Sequence, residues 1–280
     1  MSLIGAHVSA SGGLHRAIER AKLLGAESMQ VFTSNPLQWT GKNPSGAEVE
    51  SFRRAILGSS IRKVISHSSY LLNLAGDDGV RGKSVDALIC EISRCYQLGI
   101  DAVVLHPGSS KDGDRGEAER RLESSLSQVL VRTEDSPVKI LLETMAGQGG
   151  TLGSSVEEIG GILEALDWND RLGMCADMCH LFGAGVDVRS DGGYLRLVSS
   201  IDWHVGTSRV GCWHLSDNKG MRGSNVDRHE HIGQGEIGII PFGMVVSDDR
   251  FSDTPCLLET PKDGIGDEGN LALLRKLRGA

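Results

Sequence analysis

The sequence predicts an α/β fold, a single-domain (β/α)₈ TIM barrel. Three observations carry that prediction. Short apolar runs alternate with longer amphipathic segments from one end of the chain to the other. The apolar runs are continuous rather than alternating with polar residues, as expected of parallel strands covered on their outer face. Eight such strand and helix pairs fit within 280 residues, which suits a closed barrel better than an open sheet.

Leu3–Val8 reads as the first strand, and Gly12–Leu24 as a helix with Leu14, Ala17, Ile18, Ala21 and Leu24 at helical spacing. Ser28–Phe32 is the second strand. The polar loop TSNPLQWTGKNPSG then precedes a helix over Ala47–Leu57 and a third strand, Lys63–His67. Next come a helix over Ser84–Leu98, a strand over Ala102–His106, a helix over Glu117–Val131 and a strand over Lys139–Glu143. The pattern continues with a helix at Ser155–Leu166, a strand at Gly173–Asp177, a helix at Tyr194–Ile201 and a strand at Val210–His214. Pro241–Val246 begins a short helix, Cys256–Glu259 is the last strand and Gly269–Leu277 the last helix. The polar stretches 58–60 and 108–116 fall where barrel loops belong, so neither marks a domain boundary.

Composition narrows the function classes. With 39% hydrophobic and 24% charged residues the chain is of the soluble globular type, and no run of apolar residues is long enough to span a membrane. The start enters a strand-like run without a basic segment or a cleavage site, so a cytoplasmic protein is expected, with a monomer as the default state. Cys90, Cys95, Cys175, Cys179, Cys212 and Cys256 form no C-x-x-C pair and fall mostly in apolar runs, as buried reduced thiols do. A net charge of −8 argues against nucleic-acid binding through a general basic field. Bound divalent cations would offset most of that charge within one cleft, so a phosphodiester substrate is still open.

The stretch CWHLSDNKGMRGSNVDRHEHIGQG, Cys212 to Gly235, gathers His214, Asp217, Asp227, His229 and His231 in a glycine-rich loop. Imidazoles with carboxylates suit a borderline divalent ion such as Zn²⁺ or Mn²⁺, and an extended Asp-x-His triplet aims two ligands at one ion. The predicted strand ends supply matching groups: His7, Phe32, His67, His106, Glu143, Asp177, His214 and Glu259, of which all but Phe32 are metal-ligand types. Any one of these alone is adequately explained as a solvated or helix-capping side chain. In a parallel barrel, however, all strand ends converge on the C-terminal face, so His67, His106, Glu143, Asp177, His214 and Glu259 are expected to ring one cavity. Bound cations are the simplest means of neutralising such a cluster. His180 lies one turn past a strand end and would face the Asp227–His229 loop if that loop covers the mouth.

The motifs HVSASGG (His7–Gly13), LHPGS (Leu105–Ser109), LLETMAGQG (Leu141–Gly149), CADMCH (Cys175–His180), HLSDNKG…GSNVDRHEHIG (His214–Gly233) and LLETP (Leu257–Pro261) resemble, in order and spacing, the endonuclease IV family of apurinic/apyrimidinic-site repair nucleases. The resemblance spans the chain. It implies three metal ions, Zn²⁺ as a rule with Mn²⁺ or Fe²⁺ possible in some sites, and cleavage of duplex DNA on the 5′ side of an abasic sugar, with trimming of blocked 3′ ends. Carried over by motif, His67 and His106 hold the first metal and Glu143 bridges it to a second, which Asp177, His214 and Glu259 complete. His180, Asp227 and His229 hold the third. His106, Glu143, Asp177 and Glu259 are the groups expected to act at the reacting phosphate.

The same resemblance points to DNA contacts at Tyr70 and Leu71, which would enter the duplex beside the lesion, and at Leu37, Gln38 and Arg228. Lys42, Lys111, Lys219 and Arg222 lie in the same predicted mouth loops. Two positions depart from the family pattern. Met178 stands where a small hydroxyl residue is common, and Leu37 where some members carry a basic side chain. Two rival readings are a metal-dependent sugar isomerase or epimerase on the same barrel and a non-catalytic damaged-DNA-binding protein. The first has no need of a third site built from His180, Asp227 and His229, and the second has no need of a bridging carboxylate.

Overall fold

The computed structural model describes residues 1–39, 41–110 and 113–279. Its strands are β1 (Leu3–His7), β2 (Ser28–Val31), β3 (Lys63–His67), β4 (Ala102–Leu105), β5 (Lys139–Glu143), β6 (Leu172–Asp177), β7 (Val210–Leu215) and, after a short two-stranded ribbon of β8 (Asp217–Asn218) and β9 (His229–Glu230), β10 (Pro255–Leu258). The ribbon apart, every strand pairs in parallel with its neighbours and the sheet closes in the order β1-β10-β7-β6-β5-β4-β3-β2. The predicted barrel is therefore the observed one.

Helices α1 (Leu14–Leu23), α2 (Gly46–Leu57), α3 (Asp78–Leu98), α4 (Arg115–Arg132), α5 (Val156–Ala165), α6 (Met178–Gly183), α7 (Asp191–His204), α8 (Ile240–Ser247) and α9 (Gly266–Arg278) surround it. Several start earlier than their apolar periodicity suggests, because the cap rather than the stripe sets the first turn. Asp77 accepts from the Val80 amide and begins α3 well ahead of Ser84, and Ser190 accepts from Gly193 and begins α7 ahead of Tyr194. Helix α6 and the β8/β9 ribbon were not expected. Both are too short to show a period. No helix among the described residues is long and apolar enough to cross a membrane.

Strand alternation divides the apolar residues into two layers. Outward side chains, including Met174, Trp213 and Leu258, join the helices in the main core. Inward ones form a separate plug of Ile65, Ala102, Val104, Leu141, Cys175, Cys212 and Leu257. Two residues beyond six of these plug positions stand His67, Val104's neighbour-but-one His106, Glu143, Asp177, His214 and Glu259. The plug is thus the floor of the predicted ligand ring.

Phase on β7 is set by a bulge. Met174 pairs with Val210 but Cys175 pairs with Cys212, leaving Gly211 as an extra residue. Without it Cys212 and His214 would point outward. A side chain at Gly211 would meet Leu141 Cδ2 at 2.3 Å, and one at Gly5 on β1 would meet the Ser28 carbonyl oxygen at 1.9 Å. The first obstacle is the end of a side chain and the second is backbone. Gly211→Ala should therefore cost about 1–3 kcal/mol of stability as Leu141 shifts, and Gly5→Ala more than about 3 kcal/mol because a strand must move. Denaturant unfolding of the two variants measures both, and the reverse ranking would contradict this view of the barrel interior.

Candidate metal centre

Glu143 ends β5 with its carboxylate wholly buried in the barrel mouth. Its Oε2 lies 3.2 Å from His67 Nε2 and 3.1 Å from His106 Nε2, while Oε1 lies 3.1 Å from His214 Nδ1. One carboxylate therefore faces two groups of imidazoles through different oxygens. On the second side His214 Nδ1 also approaches Asp177 Oδ2 at 3.6 Å and Glu259 Oε2 at 3.5 Å. Beside these, His180 Nε2 and His229 Nε2 face Asp227 Oδ1 at 3.3 and 3.1 Å.

The ligand atoms fall into three compact sets, each with all members within 4.8 Å of one another: His67, His106 and Glu143; Glu143, Asp177, His214 and Glu259; and His180, Asp227 and His229. These are the groupings expected from the sequence. Several strand ends differ by one residue from the sequence reading: β1 stops at His7 and β7 runs on to Leu215, while β4 stops at Leu105 and β10 at Leu258, so His106 and Glu259 lie just past their strands. Likewise β2 stops at Val31, and Phe32 packs its ring against His7, His67 and Tyr70 with centroids 4.6–5.4 Å away.

Four of the five ligand imidazoles are oriented from behind. His67 Nδ1 donates to the Ser68 carbonyl at 2.8 Å, His180 Nδ1 to that of Thr144 at 2.8 Å, and His229 Nδ1 to that of Glu259 at 2.7 Å. Each bond leaves Nε2 as the lone-pair nitrogen facing the cluster, the arrangement by which proteins fix metal-binding imidazoles. His214 is turned the other way, with Nε2 donating to Gln30 Oε1 at 2.8 Å so that Nδ1 faces in. Gln30 also donates to Glu259 Oε1 at 2.6 Å. Sequence reasoning missed Gln30, although a polar residue in the apolar strand SMQV was a visible signal. His7 completes this edge, 3.4 Å from Glu259 Oε1.

Asp177 has two tasks. Its Oδ1 caps α6 by accepting from the His180 amide at 2.7 Å, which fixes His180 one turn on. Its Oδ2 is buried without a hydrogen-bond partner, as is His180 Nε2. Orphaned acceptor atoms of this kind, set among further oxygen and nitrogen donors, are what a divalent cation satisfies, so the residues present fit the metal ions that the sequence motifs imply.

The buried carboxylates and imidazoles shift one another's protonation. Burial pushes the Glu143 carboxyl up, but His214 and His106 beside it carry it well below the usual carboxylate range. Glu259 is held low in the same way by His214 and His7. Burial pushes His214, His180 and His229 down, and the Cys175 sulfur beside His214, the Cys179 sulfur beside His229 and the carboxylates facing all three more than reverse this, so all three are raised well above the ordinary imidazole value. His67 is raised for the same reason by Glu143.

Asp217 and His231, counted with the loop's metal-ligand types, lie outside these sets. The Asp217 carboxylate accepts from the amides of Asn218, Ile237 and Gly238, and His231 Nδ1 meets the Asn270 amide at 2.9 Å. They organise the loop. Asn218 pairs with His229 across the β8/β9 ribbon and donates to the carbonyls of Cys179 and Val226, which brings Asp227 and His229 over His180.

The expected DNA-facing residues surround the mouth. Tyr70 is half exposed, with its ring 5.4 Å from His67 and 5.8 Å from His106, and Leu71 follows it, partly buried. Burial and the nearby Glu259 and Glu143 carboxylates push the Tyr70 hydroxyl up to about 12, so it stays protonated. Leu37 and Gln38 are exposed on the β2–α2 loop, which Ser69 Oγ and the Tyr70 amide bind through the Pro36 carbonyl. Arg228 is exposed and donates to the Asp227 carbonyl. Arg222 pairs with Asp187 and Lys219 with Glu230, whereas Lys111 lies outside the described residues. A cavity of about 270 Å³ between Tyr70, Phe32, His229 and Glu259 opens onto the cluster, and a groove of about 780 Å³ with Lys42 and Lys262 at its rim runs beside it. Met178, the departure from the motif beside Asp177, is buried in the main core.

The chain resembles known proteins over nearly its whole length. Residues 18–278 match the family model described as a xylose isomerase-like TIM barrel. The chain is 42% identical over 277 residues to the probable endonuclease 4 of Trichlorobacter lovleyi, covering 98% of this chain and 99% of the relative. It is 43% identical over 284 residues to that of Nitratidesulfovibrio vulgaris, covering both in full. The endonuclease IV structure from Thermus thermophilus superposes with a TM-score of 0.88 at 33% identity over 98% of each chain. A D-tagatose 3-epimerase-like protein at 19% identity and a TM-score of 0.74 shares the fold alone. On full-length identity and on the barrel itself, the chain belongs to the endonuclease IV family.

Proposed function

We propose that this protein is a metal-dependent DNA repair endonuclease that hydrolyses the phosphodiester on the 5′ side of an abasic site in duplex DNA, leaving a 3′-hydroxyl and a 5′-deoxyribose phosphate, and that it also trims blocked 3′ ends. The observation that carries this reading is the Glu143 carboxylate, with one oxygen facing His67 and His106 and the other facing His214. A carboxylate can serve two cations in this way because its oxygens present lone pairs in different directions, which one imidazole cannot do.

On this reading His67, His106 and Glu143 hold the first ion, Glu143, Asp177, His214 and Glu259 the second, and His180, Asp227 and His229 the third, Zn²⁺ being the ion that best suits mixed imidazole and carboxylate donors. When bound, ions so grouped make water a nucleophile near neutral pH and offset charge on a leaving oxygen. The protein's own part is positional. Gln30 and the carbonyls of Ser68, Thr144 and Glu259 hold the imidazoles of His214, His67, His180 and His229 each in one tautomer, and Glu143, His106, Asp177 and Glu259 would surround the reacting phosphate without any side chain acting as a covalent nucleophile. On the same reading Tyr70 and Leu71 would enter the duplex, and Leu37, Gln38 and Arg228 would contact the strand. An abasic sugar is extruded at a cost lower than that of a paired nucleotide by a few kcal/mol, which would favour the lesion in a narrow, ligand-floored pocket. The pairing of His180 with Asp227 and His229 favours this reading over a sugar epimerase, which needs no third set.

The direct test is a duplex carrying one tetrahydrofuran abasic analogue. Purified protein should nick it 5′ to the lesion to leave a 3′-hydroxyl, cut an intact duplex poorly under matched salt, and lose activity on exhaustive chelation. Nicking that persists after chelation, or equal cutting of both duplexes, would reject the proposal.

The pH dependence of metal loading follows from the proton positions. His67, His180, His214 and His229 have values raised above the ordinary 6.5, so in metal-free protein their protons stabilise the fold below that value, and this contribution is lost as pH rises through the raised values. The same protons must leave for a cation to enter, so Zn²⁺ affinity should rise with pH and level off above the raised values, with proton release on binding. Calorimetry in buffers of different ionisation enthalpy measures both. Affinity that is flat or falls with rising pH would contradict the assignment.

Two substitutions separate chemistry from grip. His229→Ala should lower kcat by orders of magnitude while abasic-DNA binding is largely kept, because it removes an interaction made mainly in the transition state. Tyr70→Ala should weaken binding by about 1–3 kcal/mol with a milder effect on turnover at saturating substrate, measured at one fixed salt concentration. A His229→Ala enzyme that turns over normally would remove the loop from the catalytic apparatus.

A further inference from the structure

The plug beneath the ligand ring contains two thiols that the proposed reaction does not use. Cys175 on β6 and Cys212 on β7 are register partners on adjacent strands, and both are fully buried in the barrel interior. Their sulfurs and a ring nitrogen of His214 all lie within 4.8 Å of one another. The Gly211 bulge creates this meeting, because in unbroken register the residue opposite Cys175 would be glycine and the second sulfur would face the helices. Neither thiol is bound in a disulfide.

We infer that Cys175, Cys212 and His214 form a capture site for soft, thiophilic divalent cations, of which Cd²⁺ is the representative probe. Two sulfurs and one imidazole are a ligand set that favours softer ions than the carboxylate-rich ring above it. Binding exchanges two S–H bonds for two sulfur–metal bonds and releases both protons to solvent, with no change of oxidation state. The route need not pass through the mouth. At the opposite end of the barrel, Gly173 and Gly211, which precede Cys175 and Cys212 on their strands, line a cavity of about 360 Å³ together with Lys139, Leu141, Asp170 and Arg209. His214 belongs to this set and to the set with Glu143, Asp177 and Glu259, so a cation held by the sulfurs takes an imidazole from the ring. That consequence rests on the proposed function, whereas the capture site itself does not.

The test uses the full-length protein loaded with Zn²⁺ and titrated with Cd²⁺, read by the ultraviolet thiolate-to-metal charge-transfer band. The wild-type protein should show a saturable band. Cys179 provides the control, because its sulfur lies near Asp177 and His229 ligand atoms with no second thiol in the set. The band should survive in Cys179→Ser and Cys256→Ser, and in Cys175→Ser or Cys212→Ser the Cd²⁺ concentration for half-saturation should rise about tenfold or more, as expected when a hard oxygen replaces a soft sulfur. No band in the wild-type protein overturns the proposal without reference to any variant, as does a band unchanged in both Cys175→Ser and Cys212→Ser. Because absorption is read without DNA, failure here is distinct from failure of the nuclease assignment.

Discussion

The barrel mouth is governed by the need to neutralise a carboxylate that has no access to water. Glu143 is fully buried and Asp177 beside it equally so, and burial of an uncompensated anion costs several kcal/mol. Among the described residues the basic groups beside them are imidazoles, which are weak bases unless a proton or a cation sits between the partners. Imidazoles and carboxylates therefore shift one another, and the histidines are raised while Glu143 and Glu259 are held down. Divalent cations answer the same electrostatic demand and also give a partner to Asp177 Oδ2, which is buried without a hydrogen bond.

The rest of the fold keeps those groups from relaxing away from one another. Each ligand of the main ring stands two residues beyond an apolar plug residue, so the pleat of the strands fixes its direction and the packed floor fixes its height. The bulge at Gly211 corrects the phase of β7 so that His214 points inward opposite Asp177. Helix α6 begins on Asp177 itself, and one carboxylate thereby positions its own neighbour His180. The third set needs a loop held down from above, and the β8/β9 ribbon with Asp217 and Asn218 supplies that restraint.

Much of this was legible in the sequence, because the strand-end residues lie at a fixed period from apolar runs and a parallel barrel leaves one face on which they can meet. His67, His106, Glu143, Asp177, His214 and Glu259 could be grouped on that argument alone. The division of nine ligands into three sets came from the family motifs, since no local periodicity says which strand ends share an ion. Gln30 escaped notice because a neutral amide within an apolar strand has no ligand chemistry of its own; its role appears only when His214 and Glu259 arrive from distant strands. Asp217 and His231 failed in the opposite sense. Their composition is that of ligands, but the loop's own amides and Asn270 claim them first. Helix starts were misjudged wherever a cap preceded the apolar stripe, as at Asp77 and Ser190.

The central claim is that the Glu143 carboxylate serves two cations at once. Anomalous diffraction at the zinc absorption edge, from crystals of the protein as purified, tests it most directly. The account predicts three peaks in the barrel mouth, two of them on opposite oxygens of Glu143 and the third between His180, Asp227 and His229. A single peak, or peaks that leave either Glu143 oxygen without an ion, would contradict it.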